Sequence, residues 1–226
     1  MEVRINMKGL LIKDLQLILK QKKFFVVAIA LAAMFAFTSK DVTFGATYII
    51  ILLAMLVLTT FSYDEFNGGM TFILSLPASR KTYVKEKYVF TLIDLVAAAV
   101  ISLAICSLFT VIQGDKIDIP HLMENILATT VGMGVVLCIT IPLELKYGVE
   151  KGRIAMFAAV AVIVLIGMGG YKLLTSVLNV DLSKIANDVA TKLTDVGMYV
   201  AIIAVMLVLL LISYVASNAV MKKKEF

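Results

Sequence analysis

The stretch that decides the fold is residues 63–88, YDEFNGGMTFILSLPASRKTYVKEKY, a polar interval between two long apolar runs. It opens with Asp64, Glu65 and a Gly-Gly pair, which are charged and turn-forming residues. Five apolar side chains then occupy the seven positions 70–76. This run is too short to cross a bilayer, which needs about 20 residues. The interval therefore predicts a short apolar helix at one membrane face that needs a surface to bury against.

The rest of the chain is dominated by apolar runs. Hydrophobic residues make up 61% of the 226 positions, and the mean hydropathy is +0.99. Soluble domains contain only roughly 45–50% apolar residues. We therefore predict an all-α polytopic membrane protein that forms a single transmembrane domain over residues 1–226. Six runs mark its spans, at about 24–38, 44–63, 88–112, 126–143, 154–174 and 197–217. The first is short, and the other five suit a hydrocarbon layer of ~30 Å.

The positions of Lys and Arg predict the orientation of the chain, because these residues are enriched in short cytoplasmic loops. With the N-terminus inside, 16 of the 21 basic residues fall on cytoplasmic segments, and only five fall on the opposite face. Both termini are therefore expected in the cytoplasm. The same topology accounts for the pI of about 9.1, so nucleic acid is not an expected partner.

Two stretches outside the spans have amphipathic patterns. Residues 6–23 predict an interfacial helix on the cytoplasmic leaflet, with Leu11, Leu15 and Ile18 among its apolar residues. Residues 175–196 predict an outer amphipathic helix. The outer helix is either a connector that lies on the surface or a lid over the exit of a translocation path.

The sequence offers no candidate for catalysis or metal binding. It has one His and two Cys, and the Cys are predicted at different membrane depths. The glycine-rich loop that cradles nucleotide phosphates is absent, so we expect neither an enzyme nor a cofactor bound by this chain. If the chain belongs to a pump, a second polypeptide must hydrolyse the ATP. The apolar helix of residues 70–76 would then be a protein interface, with Phe72, Leu74 and Leu76 as anchors and Glu65 and Arg80 as its polar rim.

Small residues and one acid stand out inside the predicted spans. Ala28, Ala32 and Ala36 recur at every fourth position of the first span, a pattern that lets helix backbones approach closely. This stripe serves either internal packing or a seam between two copies of the chain. Asp94 is the one acid within a span, where it is either a functional residue or a group that reaches interfacial water or a nearby lysine.

The order of motifs around residues 64–88 resembles that of the ABC type-2 transporter permease family. It runs from an acidic pair and Gly-Gly through an apolar run to Ser-Leu-Pro-x-Ser-Arg-Lys, and then to Glu-Lys-Tyr before a span. The resemblance implies that residues 64–87 carry a cytoplasmic coupling helix, which docks on a separate ABC ATPase subunit that binds ATP and Mg. The implied coupling residues are Asp64, Glu65, Gly68, Gly69, Phe72, Leu74, Leu76, Pro77 and Arg80.

The resemblance also implies a role and further partners. Such permeases work as dimers, which favours the seam for Ala28, Ala32 and Ala36, and their N-terminal helix contacts the ATPase as well as the membrane. The implied function is a subunit of an exporter in the bacterial cytoplasmic membrane, with amphipathic peptides or other hydrophobic cargo. Two alternatives stay open: a coupling segment that merely connects two spans in the headgroup layer, and a membrane scaffold or immunity protein that binds a partner without transport. An intramembrane enzyme is disfavoured, because the spans lack paired acids, histidines or a metal-ligand cluster.

Overall fold

A computed structural model describes residues 7–39, 42–66, 69–70, 73, 79–113, 119–176 and 195–223. Within these residues the fold is a bundle of seven helices without strands. They are α1 (Met7–Leu19), α2 (Lys22–Ser39), α3 (Val42–Glu65), α4 (Arg80–Gln113), α5 (Ile119–Tyr147), α6 (Val149–Ser176) and α7 (Asp195–Lys223). The predicted all-α membrane class is confirmed. The predicted outer helix lies mainly outside the described residues.

Four helices of the described part are long and apolar enough to cross a membrane, namely α3, α4, α5 and α7 from Gly197 onward. Each predicted span lies within one of the helices α2 to α7, but the helices extend beyond the apolar runs. The largest difference is at α4, which begins at Arg80 rather than near Tyr88. Ser79 stabilises this early start, because its hydroxyl accepts a hydrogen bond of 3.1 Å from the backbone N–H of Thr82 as an N-cap.

Helix α3 forms the centre of the bundle. It packs against α2, α4 and α5 along its length, and against α1 and α6 near one end. Its buried residues are small or aliphatic over most of the helix, for example Ile50, Ala54 and Val57. Helix α7 packs against α4 and α5, and α6 packs mainly against α5. The bundle therefore brings the C-terminal end of α3 close to α1, α4 and α6.

Polar side chains join the helices at membrane depth, where a hydrogen bond stabilises the contact between two spans. Ser102 of α4 donates to the backbone carbonyl of Ala46 in α3 at 3.1 Å. The hydroxyl of Tyr88 lies 2.5 Å from that of Ser213 and 2.8 Å from that of Ser217, which joins α4 to α7. The hydroxyl of Ser213 is also within 2.5 Å of the Cys138 carbonyl in α5.

The alanine stripe of α2 faces the inside of the chain. Ala28 is 5% exposed and Ala32 is 1% exposed, because α2 packs along α3 within the same chain. The side chain of Ala36 lies outside the described residues. This placement favours internal packing over the predicted seam for Ala28 and Ala32, since neither side chain is accessible to a second copy.

Helix α1 packs one side against the bundle and leaves other apolar residues on its outer side. Leu10, Asp14 and Ile18, spaced four residues apart, are buried against α4 and α3. Leu15 is 44% exposed, and Leu11 is partly buried. Leu10 and Ile18 therefore lie in the bundle, and the predicted contact of Leu11 and Leu15 with the membrane stays a prediction. An acidic side chain occupies the middle of the buried stripe.

Candidate coupling site

A buried cluster of charges joins α1, α3 and α4 at one end of the bundle. The Lys87 Nζ atom lies 2.5 Å from Asp14 Oδ2 and 2.7 Å from Asp64 Oδ2. Lys87 and Asp14 are both 0% exposed, and Asp64 is 3% exposed. Lys13, which is partly exposed, donates a hydrogen bond to Asp64 and forms an ion pair with Asp14 at 3.0 Å. The cluster thus contains two cations and two anions.

The central ammonium group of this cluster is fully hydrogen-bonded. A lysine has three donors, and those of Lys87 reach Asp14, Asp64 and the hydroxyl of Thr60, the last at 2.9 Å. Its Nζ atom also lies 4.9 Å from the centre of the Phe61 ring, within the range of a cation–π contact. Ion pairing and the contacts of the ammonium group partly offset the cost of taking these charges out of water, although Asp14 Oδ1 has an ion pair with Lys13 but no hydrogen bond.

Tyr83 adds a further link between α4 and α3. Its side chain is fully buried, and its hydroxyl donates a hydrogen bond of 2.9 Å to Asp64 Oδ2. Asp64 therefore accepts from Lys13 on one helix and from Lys87 and Tyr83 on another. This carboxylate fixes the last turn of α3 against both α1 and α4.

The neighbouring acid, Glu65, holds the start of α6. Its Oε2 atom accepts a hydrogen bond of 2.5 Å from the backbone N–H of Val149, the first residue of α6. A carboxylate is favourable there, because the first backbone N–H groups of a helix lack partners and carry a partial positive charge. Gly148 makes the approach possible: it has a positive φ of 81°, and a Cβ atom there would overlap the Glu65 carboxylate.

Arg80 attaches the other end of the connection between α3 and α4. Its guanidinium donates a hydrogen bond of 3.1 Å to the backbone carbonyl of Met221, in the last turn of α7. Cationic groups are favoured at this end of a helix, where the last carbonyls lack partners. The connection 66–79 is therefore bounded by Asp64 and Glu65 on one side and by Arg80 on the other, and all three bind other helices.

Only part of the connection itself is described. Gly69 lies so close to α3 that a Cβ atom there would be 2.7 Å from the Asp64 carbonyl oxygen. Ile73 is buried, Met70 packs against the core, and Phe66 is 71% exposed. The other predicted coupling residues, Gly68, Phe72, Leu74, Leu76 and Pro77, lie outside the described residues. The structure thus brings together Asp64, Glu65 and Gly69, and it places Arg80 against α7.

The sequence prediction missed four residues of the charge cluster: Lys13, Asp14, Tyr83 and Lys87. It assigned Lys87 to a polar loop, whereas Lys87 lies in the second turn of α4. The helical spacing of four between Tyr83, Lys87 and Thr91, all of which are buried, was the signal for a bundle-facing side. Asp14 had a similar signal, since it lies midway between Leu10 and Ile18. Within the described part of the chain, no cluster of His, Cys, Asp or Glu could hold a metal ion.

Comparison with known protein families identifies the class of this protein. The family described as ABC-2 family transporter protein matches residues 9–222, which is nearly the whole chain. The chain belongs to this family. The ABC-2 protein is therefore a multi-pass membrane permease of an ABC transporter, and its family implies association with an ABC ATPase. Neither the curated proteins nor the solved structures include a significant match to the chain.

Proposed function

We propose that this ABC-2 permease is the transmembrane subunit of a bacterial exporter that moves hydrophobic or amphipathic cargo, specifically peptides, out of the cell. It crosses the cytoplasmic membrane six times, with α2 and α6 as the two spans beyond the four long apolar helices. Both termini are cytoplasmic, because this arrangement puts most Lys and Arg residues inside. The charge cluster then lies at the cytoplasmic end of the bundle.

One observation carries the proposal: polar side chains at the two ends of the 66–79 connection join α3 to α4 and also bind three further helices, α1, α6 and α7. Asp64 binds α1 and α4, Glu65 binds α6, and Arg80 binds α7. A force applied to the connection would therefore reach the cytoplasmic ends of all these helices. This is the property required of a coupling element, which must convert movement of an ATPase into movement of the spans.

The proposed cycle places all ATP chemistry on the partner. The ABC ATPase binds ATP and Mg, and closure of an ATPase pair pushes on the connection. The permease has at least two states, and the ATPase shifts their populations because its binding free energy differs between them. In this cycle Asp64, Glu65 and Arg80 are positioning residues, and Phe72, Leu74 and Leu76 form the surface that the ATPase binds.

The proposals for the cargo and the oligomeric state are based on resemblance to a known family rather than on the geometry of this structure. The layout of spans resembles that of the permease of the phenol-soluble modulin exporter, which motivates amphipathic peptides as cargo. Two copies of the chain would form the pathway. Because Ala28 and Ala32 are buried within one chain, we place the contact between copies on other apolar surfaces.

Capture of the ATPase tests the coupling role. We expect Phe72→Asp to abolish co-purification of the cognate ATPase, because a charge would enter an apolar interface, while Phe72→Leu keeps an apolar side chain and retains capture. Membrane insertion of both variants is checked by fractionation. If Phe72→Asp still captures the ATPase, the connection is not the docking element.

Transport is tested separately in inverted vesicles that contain the permease and its ATPase. An exporter takes up a labelled amphipathic peptide in these vesicles only when ATP is present, and the peptide changes the rate of ATP turnover. ATPase capture without uptake or a change in turnover would instead support the non-transporting scaffold or immunity protein.

A further inference from the structure

Glu144 is a buried acid beside the coupling site that the proposed function does not use. It lies in the last turn of α5, just beyond the predicted span 126–143, and is only 3% exposed. Both of its carboxyl oxygens are buried, and neither has a hydrogen-bond partner among the described residues. An isolated buried charge is costly, so a carboxyl group in this environment is held in its neutral, protonated form.

Close packing between α5 and α6 creates this environment. Gly152 of α6 lies against Glu144, and a Cβ atom at Gly152 would be 2.9 Å from the Glu144 Cα atom and 3.1 Å from its Cγ atom. The backbone carbonyl of Glu144 also accepts a hydrogen bond of 2.9 Å from the N–H of Gly148, between the two helices. The side chain is therefore enclosed in the α5–α6 joint, which we define as residues 144–153, and Glu65 holds the same joint from α3.

Charged groups on three helices face this carboxyl group. Burial has the largest effect on the pKa of Glu144, which is raised to about 8. Arg153 of α6 and Lys87 of α4 lower this pKa, and Glu65 of α3 raises it. Helix α7 also packs against α5, but none of its described residues is among these charged neighbours. The carboxyl group is therefore mainly neutral at pH 7.

Of the two neighbouring cations, Arg153 is the one available to Glu144. The three donors of Lys87 are already used within the charge cluster. Arg153 is exposed, donates a long hydrogen bond of 3.4 Å to the Ser62 hydroxyl, and forms no ion pair with a described carboxylate. Arg153 and Glu65 also line an open cavity of about 760 Å³, which gives a proton from the joint a route to water.

We propose that Glu144 is a proton-dependent positioning residue of the coupling site. Its neutral form allows the close α5–α6 packing described above. Its ionised form, left when the proton passes to water through the cavity, binds the Arg153 guanidinium in a second arrangement of the joint. Glu65 links this change to the 66–79 connection, because departure of its carboxylate removes a negative charge that opposes ionisation. This link rests on the proposed function, in which the ATPase moves the connection.

Alkaline pH favours the second arrangement. The pKa of Glu144 is about 8 in the folded protein, above its ordinary value of 4.5. The described arrangement therefore binds more protons than one in which the carboxyl group is solvated, and its stability falls as the pH rises from 4.5 to about 8. By the same linkage, ionisation of Glu144 favours departure of Glu65, just as departure of Glu65 favours ionisation.

Infrared spectroscopy of the purified permease tests the protonation state. A protonated carboxyl group has a C=O stretch that a carboxylate lacks. Subtraction of the Glu144→Gln spectrum isolates the band of this residue, because the other buried acids are present in both proteins and cancel. We expect the band to disappear with a midpoint near pH 8. Absence of the band at pH 7 would overturn the proposal, because Glu144 would then already be ionised.

Variants of the two charged neighbours should shift this midpoint in opposite directions, each by about one pH unit. Arg153→Gln raises it, because the attracting cation is lost. Glu65→Gln lowers it, because the repelling charge is lost while the amide oxygen can still accept a hydrogen bond from the N–H of Val149. An unchanged midpoint in Arg153→Gln would overturn the pairing of Glu144 with Arg153.

Glu150→Gln is the matched control. Glu150 is an exposed acid of the same joint and lines the same cavity, but it is not among the groups that shift the pKa of Glu144. The midpoint should therefore stay unchanged in this variant, and a decrease equal to that in Glu65→Gln would overturn the proposal as an effect of general surface charge. Should Glu144→Gln fail to fold, the part of the carboxyl band that shifts in Arg153→Gln but not in Glu150→Gln replaces the subtraction.

ATP turnover by the complex with the cognate ATPase tests the link to coupling. After correction for the pH profile of the ATPase alone, we expect turnover by the wild-type complex to change near pH 8 and this change to be lost in Glu144→Gln. A change that persists in Glu144→Gln would overturn the link. The infrared test needs no ATPase, and loss of ATPase capture would contradict the proposed function instead, so the two proposals can fail separately.

Discussion

Lys87 shows how this permease keeps a charge in its interior. The side chain has no exposed surface, yet each of its three N–H donors has an acceptor, and two of the acceptors are carboxylates. Such a cluster is a weak source of net stability, because the ion pairs repay the cost of desolvation only approximately. Its larger effect is geometric, since it joins α1, α3 and α4 at one point.

Removal of the central cation should therefore be costly. We expect Lys87→Met to lower the free energy of unfolding by about 3–5 kcal/mol, because Asp14 and Asp64 would lose their shared buried partner. Lys85→Met is the control, since Lys85 is exposed on the same helix two residues away. Equilibrium unfolding in mixed micelles with increasing SDS measures both variants. Similar unfolding curves for the two variants would contradict a structural role for the cluster.

At the scale of elements, the contacts that relate to coupling are made mainly by residues at the ends of helices. Helix α3 ends in two acids that act on different helices, and α4 begins with Arg80, which binds the last turn of α7. The N-terminus of α6 depends on a side chain from α3 rather than on a residue of its own. A side chain of one helix therefore binds the terminal backbone groups of another helix. This arrangement lets one connection act on several helices.

The start of α6 is sensitive to Gly148. We expect Gly148→Ala to lower the free energy of unfolding by about 1–2 kcal/mol, since an L-residue is strained at a φ of 81° and the new methyl group displaces the Glu65 carboxylate. Gly132→Ala in α5 is the control: no atom lies within 4 Å of its added Cβ. The control should be neutral or stabilising by up to about 1 kcal/mol. The same SDS titration compares them, and equal curves would argue against the Glu65 cap.

At the scale of the whole molecule, much of the surface is apolar. Large hydrophobic side chains are exposed on α2, α4, α6 and α7, among them Val27, Val96, Phe157 and Val208. Lipid covers such surfaces in a membrane protein, and a second copy of the chain could cover part of them. The buried side of α2 is excluded from that contact, because α3 already occupies it.

Crosslinking distinguishes the two faces of α2. In a background with Cys106 and Cys138 replaced by Ala, we expect Ala32→Cys to give no disulfide-linked dimer after copper phenanthroline treatment, because residue 32 is 1% exposed in a single chain. Val27→Cys, which is 55% exposed, is the control for accessibility and should react with a bilayer-soluble maleimide. A strong dimer band from Ala32→Cys would restore the predicted seam.

The sequence by itself determined the membrane class, the helical fold and the transporter family. Hydropathy is a local property, so the apolar runs could be read along the chain, and the order of motifs around residues 64–88 carried the resemblance. The sequence also singled out Asp64, Glu65, Gly69 and Arg80. It did not show which groups these residues contact.

Only the tertiary structure decided which charges are buried and which small residues face inward. Asp14, Asp64 and Lys87 are far apart in the sequence. The sequence pattern places each of them in a polar segment at the membrane surface, where a charge would be exposed to water. Their burial follows from the meeting of α1, the end of α3 and the early turns of α4 at one point, which no local pattern records. The alanine stripe is the same case: its spacing predicts a close helix contact, but whether the partner is α3 or a second chain depends on packing.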